Sequence, residues 1–341
     1  MQIHARDLLN AWGKLLRGGT PLLSIDVTRE CPLHCPGCYA RFGDHARAAA
    51  PGREPRGDQL ASRVLALVAR HNPLHVSLVG GEPLLRRREL DVLLPQLSRG
   101  GVAAMVVTSG VLPIPAAWND IPRAVISVSV DGLPADHDRR RAPATYDRIL
   151  RNIAGRRVNV HWTVVRAAAA REGYFEEYLD FWSGVPEVQH IMISAYTPQR
   201  SEHAPEILTA EDRHALARRL PSLRRRYPKL LMSDEIAAAF LDPPPAPDRC
   251  LFARMSRAYA SDLVTEVSPC VIGGDPDCLQ CGCAIAIALH GIAATRLRGP
   301  LRVGHLIAVT TSIAQAVNRG RRNGAMGSHP SRYDPATQDW P

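Results

Sequence analysis

Six short apolar runs, at residues 22–27, 75–79, 102–108, 124–130, 158–165 and 188–195, alternate with segments of helical spacing such as 58–70, 84–98, 146–155 and 174–182. Strands that alternate with helices pair in parallel, because each crossover must travel back along the sheet before the next strand begins. The pattern predicts an α/β domain built on six parallel strands. It also predicts where chemistry sits, since loops at the C-terminal ends of such strands share one mouth. Residues 43–57, rich in Ala, Arg, Pro and Gly, read as an exposed loop within this scheme.

The first run opens into Cys31-Pro-Leu-His-Cys35-Pro-Gly-Cys38. Three thiolates at these spacings wrap one corner of an iron–sulfur cube and leave one iron without a protein ligand. A structural zinc wants four closed ligands, and His34 is the only nearby candidate for a fourth. Three later strand ends carry Gly80-Gly81-Glu82-Pro83, Thr108-Ser109-Gly110 and Ser127-Val-Ser129-Val-Asp131-Gly132. With Tyr39 completing the cysteine loop, these segments in this order resemble the motifs of the radical SAM superfamily. The resemblance extends over about residues 20–315.

That resemblance implies a partial (β/α)6 barrel with a lateral opening wide enough for a large substrate. It implies a [4Fe–4S] cluster on Cys31, Cys35 and Cys38, with S-adenosylmethionine (SAM) chelating the open iron. Tyr39, Gly80, Gly81, Glu82, Pro83, Ser109, Ser129 and Asp131 would bind that cofactor. In Asp136-His-Asp-Arg-Arg-Arg-Ala-Pro143, Arg140 or Arg141 would meet its carboxylate; the alternative is a solvated basic loop.

Asp242-Pro-Pro-Pro-Ala-Pro247 is a rigid linker. Beyond it stand Cys250, Cys270, Cys278, Cys281 and Cys283, the last four as C-x7-C-x2-C-x-C. Four thiolates close a second cube, and a zinc ribbon is the competing use of the same donors. Residues 259–270 resemble the hairpin that leads into SPASM or twitch auxiliary-cluster domains, and Arg302-Val-Gly-His-Leu306 resembles the turn that follows. The expected division is a helix at 1–19, a barrel at 20–235, an auxiliary iron–sulfur domain at 236–318 and a disordered tail at 319–341. Two [4Fe–4S] clusters use seven of the eight cysteines and leave Cys250. It reads as a hydrogen-atom donor, because the later four supply ligands without it. A buried structural thiol or a replacement cluster ligand are the alternatives.

At 341 residues, 45% apolar and 22% charged, the chain is an ordinary large globular protein. Leu8, Leu9, Trp12, Leu15 and Leu16 share one helix face with Arg6, Asp7 and Lys14 nearby, a pattern unlike a signal peptide. The apolar stretch at 283–294 is too short to span a bilayer. Cysteines kept reduced for metal work then point to the cytoplasm. The formal charge of +9 raises nucleic acid as a partner. Against it, aromatics are only 5% and arginines such as Arg224, Arg225 and Arg226 read as a solvated helix face.

The spare cysteine and compact auxiliary unit resemble the aminoglycoside-maturing radical SAM epimerases. The resemblance implies that a 5′-deoxyadenosyl radical takes hydrogen from a sugar carbon and that Cys250 returns one to the opposite face. It implies a cationic aminoglycoside substrate and a one-electron reductant such as flavodoxin or ferredoxin. Ammonium groups need carboxylates when desolvated, and Asp26, Glu30, Asp234 and Glu235 are candidates by position. The competing readings are a sugar dehydrogenase or decarboxylase, a peptide-modifying maturase and, from another class, an RNA-modifying or RNA-binding protein.

Overall fold

Each apolar run becomes a strand: β1 (Leu22–Thr28), β2 (His75–Gly80), β3 (Ala103–Thr108), β4 (Ala124–Ser129), β5 (Val158–Val164) and β6 (Val188–Ala195). The structure, a computed structural model, describes residues 20–48, 54–295, 302–304 and 309. The expected N-terminal helix, the C-terminal tail and part of the turn at 302–306 lie outside them. Among the described residues the sheet has seven strands in the order β6-β5-β4-β3-β2-β1-β7, all parallel. The seventh, β7 (Ser256–Tyr259), was not expected. It lies beyond the proline linker and pairs with β1 from Leu22↔Ser256 to Ile25↔Tyr259. The sheet therefore continues across the expected domain boundary as an open, partial barrel.

The strands alternate between two environments. Leu23, Ile25 and Val27 of β1, and Val158, Val160, Trp162 and Val164 of β5, enter the main apolar core. The helices α2 (Gly57–His71), α3 (Arg87–Arg99), α5 (Tyr146–Ile153) and α7 (Tyr174–Gly184) cover that side. Trp162 stacks on Tyr178 of α7 with ring centroids 4.1 Å apart. The other side is polar, with Ser24 and Asp26 of β1, Ser127 and Ser129 of β4, His161 of β5 and Ser194 of β6. A period of two on each strand thus separates the core from the face that holds the site.

Residues 43–57 are not wholly a loop: α1 (Gly43–Arg47) forms there and sends His45 into the interior. Short helices α4 (Pro134–Arg141) and α6 (Arg166–Ala169) follow β4 and β5. Beyond β6 come α8 (Ala210–Arg226), α9 (Asp234–Ala239), α10 (Leu251–Met255) and α11 (Ala284–Ala294). Thr209 and Asp212 form a reciprocal capping box at the start of α8. A tight turn after β7 returns Val267 N–H to the Ala258 carbonyl at 2.8 Å, which makes the expected hairpin, but with its first arm in the barrel sheet. No described helix is long and apolar enough to cross a membrane.

Candidate cofactor and cluster site

The turn after β2 is shaped by contact with the cysteine loop. Gly80 has φ +121°, and a Cβ there would stand 2.3 Å from the Thr28 carbonyl oxygen. A Cβ on Gly81 would stand 2.2 Å from the Glu30 carbonyl oxygen. Only glycine allows this approach, which Gly81 N–H→Thr28 O (2.6 Å) and Glu82 N–H→Glu30 O (2.8 Å) then fasten. Glu82 is fully buried. Its carboxylate accepts from Leu84 N–H (3.0 Å), Thr108 Oγ1 (2.6 Å), Ser109 N–H (2.9 Å) and Ser109 Oγ (2.5 Å). The second and third motifs are therefore one unit, and Pro83 opens the short turn that follows.

Asp131 ties the fourth motif to the first. It accepts from Arg141 Nε at 2.8 Å, Arg140 Nε at 3.2 Å and Thr163 N–H at 3.1 Å. Burial pushes its carboxyl up, but Arg141 and Arg140 outweigh burial and hold it down at about 2. Arg140 also donates to the Pro36 carbonyl (3.0 Å), inside the cysteine loop, and to Glu206 (3.3 Å). The basic segment is thus built into the site and is not a solvated loop. Cys31, Cys35 and Cys38 are half-buried and within electrostatic reach of one another, and Tyr39 starts the turn beyond them. Burial pushes the Cys31 and Cys35 thiols up; for Cys31 the neighbouring thiols add to this, and a bound cation relieves it.

The second cysteine group is drawn together more tightly than its spacing suggests. Cys250, Cys270, Cys278, Cys281 and Cys283 all line one cavity, together with Thr197. Cys250, read from the sequence as the outlier, is among them and only 9% exposed. Burial and mutual crowding push Cys270 and Cys281 up to about 12 and Cys283 up to about 11. Among the described residues no three His, Cys, Asp or Glu side chains converge on a single ion-sized position.

Two residues that sequence spacing does not mark hold this group in place. His45 Nδ1 is 2.6 Å from Asp26 Oδ2, and Nε2 is 2.9 Å from the Val271 carbonyl. Arg213 of α8 donates to the carbonyls of Tyr196 (3.2 Å), Cys281 (3.4 Å) and Gln280, while its buried Nε has no partner. The only signal for either was a lone histidine or arginine in a polar segment.

Two of the four carboxylates expected to meet a cationic substrate are otherwise employed. Asp26 is buried against His45, and Glu30 pairs with Arg56 and with Arg86 (3.1 Å). Asp234 and Glu235 lie exposed in the first turn of α9. Acidic groups near the cysteine loop are instead Glu206, beside Arg140, and Glu202, which accepts from Tyr196 Oη at 2.5 Å.

An open parallel barrel with a three-cysteine loop, a glycine turn and a buried Asp–Arg pair at its strand ends defines the radical SAM class. Residues 25–163 match the sequence model of the Radical SAM superfamily, so the chain carries a radical SAM domain. SAM and one [4Fe–4S] cluster are the cofactors that go with this domain. Over 104 residues, 30% of this chain, it is 33% identical to 7-carboxy-7-deazaguanine synthase of Hyperthermus butylicus, of which it spans 41%. The fold is similar to that of Streptococcus suis SuiB, with TM-score 0.53 and 14% identity over 75% of this chain and 62% of SuiB. It is similar also to anSMEcpe with bound AdoMet and Cp18Cys peptide, with TM-score 0.54 and 15% identity over 74% of each chain. At such identities the likeness to both structures is one of fold.

Proposed function

We propose that the protein is a radical SAM epimerase that inverts a C–H stereocentre of a cationic aminoglycoside sugar and carries one auxiliary [4Fe–4S] cluster. The observation that supports it is a count: five thiols line one cavity, and a closed cube takes four. One thiol is left over beside the barrel mouth, which return of a hydrogen atom requires. A dehydrogenase or decarboxylase has no use for it. Counting along the chain nominates Cys250 for that role.

When bound, SAM and the first cluster supply hydrogen-atom abstraction from an unactivated C–H bond. Cys31, Cys35 and Cys38 would hold the cluster, and Glu82, Ser109, Ser129, Asp131 and Arg140 would orient the SAM. The spare thiol then sets the stereochemistry by delivering hydrogen to the face opposite the one that lost it. Glu202, oriented by Tyr196 Oη, would meet an ammonium group of the substrate, whereas Glu206 is already paired with Arg140. A one-electron carrier such as flavodoxin or ferredoxin would serve as partner.

The test is anaerobic reconstitution followed by incubation with SAM, a reductant and neomycin C in deuterated water. The expected product is an epimer of unchanged composition carrying one solvent deuteron. SAM cleavage without an epimer overturns the reading, and a product lighter by two hydrogens replaces it with a dehydrogenase.

A further inference from the structure

We propose that Arg213 is the buried counter-charge of the auxiliary cluster and holds that cluster at a higher reduction potential than its thiolates alone would give. That role rests on the auxiliary cluster proposed above, and on neither the substrate nor the choice of which thiols are ligands.

Among the described residues two arginines are buried, Arg86 at 6% exposure and Arg213 at 7%. Arg86 is answered by two carboxylates, Glu30 and Glu54, each at 3.1 Å. Arg213 has only neutral acceptors, the carbonyls of Tyr196 (3.2 Å), Cys281 (3.4 Å) and Gln280. A guanidinium keeps its proton at physiological pH, so this is a full positive charge inside the protein without a carboxylate partner. Such a charge is costly unless an anion lies close by.

The helix that carries Arg213 gains nothing from it. Arg213 stands in the first turn of α8, just after the Thr209–Asp212 capping box, where the helix dipole disfavours a cation. An apolar side chain would suit both the burial and the helix better. What the position does provide is a rigid mount from which the guanidinium reaches the turn of Cys278 to Cys281.

That turn supplies the missing anion. The guanidinium donates to the carbonyl of Cys281 itself, and the Cys281 and Cys278 side chains line the thiol cavity. Burial pushes the Arg213 guanidinium down from its ordinary value, and the negative charges that oppose burial belong to Cys281 and Asp277. Asp277 is occupied in closing the turn, accepting from Leu279 N–H at 3.1 Å and Gln280 Nε2 at 2.8 Å. The thiol group is then the anion for which Arg213 is placed.

The consequence is a redox one. Reduction brings one electron from a carrier of the flavin or iron–sulfur class, no bond forms or breaks, and the cluster gains one negative charge. A fixed cation beside it favours the reduced form, since net charge and hydrogen bonding around a cluster set its potential. The second cluster is thereby kept easy to reduce and ready to pass an electron on.

The experiment compares the full-length wild type with Arg213→Lys, which keeps the charge, and Arg213→Gln, which keeps a donor but loses the charge. Each is reconstituted anaerobically, and iron and acid-labile sulfide are counted, with about eight irons expected in all three. The two clusters are told apart by electron paramagnetic resonance, because SAM changes only the signal of the first. Their midpoint potentials are read by dithionite titration with mediators. Arg213→Gln should lower the potential of the second cluster and leave the first unchanged, while Arg213→Lys should stay near the wild type. A wild-type potential in an iron-replete Arg213→Gln overturns the proposal, as does an equal fall in Arg213→Lys or an equal shift of both clusters. Loss of the second cluster from both variants makes Arg213 only a brace for the turn and also overturns it. A wild type that binds only about four irons instead refutes the auxiliary cluster itself, a result separate from any outcome in the variants.

Discussion

His45 and Asp26 form a buried pair, 2.6 Å apart, that joins β1 to the second cysteine group through the Val271 carbonyl. Burial alone would depress the imidazole, but the hydrogen bond and charge of Asp26, with Val271 accepting from the other ring nitrogen, raise it above 6.5. The sign follows from linkage: this stabilisation is fully present below pH 6.5 and is lost as pH rises through the raised folded value. The urea midpoint of the wild type, measured relative to His45→Gln, should therefore fall as pH increases. Just below pH 6.5, while Asp26, whose carboxyl burial raises, is still ionised, the difference should be about 3–5 kcal/mol, the cost of breaking a buried pair. A flat difference across pH would contradict it.

Asp131 works in the reverse direction. Held at about 2, it contributes stability that is present above pH 3.8 and lost as pH falls towards that lower value. Asp131→Asn leaves Arg141 without its carboxylate and should lose about 3–5 kcal/mol at neutral pH. Its acid unfolding should begin from a lower plateau with a shallower slope below pH 3.8 than the wild type shows.

Glu82→Gln keeps the shape of the side chain but presents an amide NH2 where two hydroxyls and two backbone N–H groups now donate. At least one buried donor must go unpaired, so stability should drop by about 1–3 kcal/mol in urea titration. Calorimetry on the reconstituted protein should show weaker SAM binding as well. Wild-type values for both would remove Glu82 from the site.

Arg213→Met removes the donors that hold the Tyr196, Gln280 and Cys281 carbonyls. The loop carrying Cys278 and Cys281 should loosen, with about 1–3 kcal/mol lost in urea titration. Iron loss on dialysis against chelator should be faster at the second group than at the first. Equal loss from both groups would contradict this local role.

Gly282→Ala forces a backbone shift, because the new methyl meets the Ala195 carbonyl and no flexible side chain can yield. A destabilisation of about 1–3 kcal/mol is expected. Urea titration against the wild type checks it, and an unchanged midpoint would contradict the close approach to the Ala195 carbonyl.

Much of the site could be read before folding was considered. The glycine pair of Gly80-Gly81, Glu82, Ser109 and Asp131 all stand where strand ends predicted them, because a strand's length fixes where its loop begins. Position in the chain was a poor guide to the thiols and carboxylates. Cys250 precedes Cys270 by a long interval yet shares its cavity. Asp26 and Glu30, open in sequence, are closed off by His45 and by Arg56 and Arg86. The helix containing His45 hid within a segment whose composition favours loops.

The sequence by itself determined the α/β class, the parallel strands, the three-cysteine loop and the presence of a second thiol group. Those features depend on periodicity and spacing within a few residues, which are local properties. Tertiary structure alone decided that β7 extends the sheet and that five thiols share one cavity. Such pairings bring together residues as far apart as His45 and Val271, separated by 226 positions, and no local propensity encodes them. They exist only because the barrel's strand ends meet at one mouth and the chain beyond the proline linker returns to it.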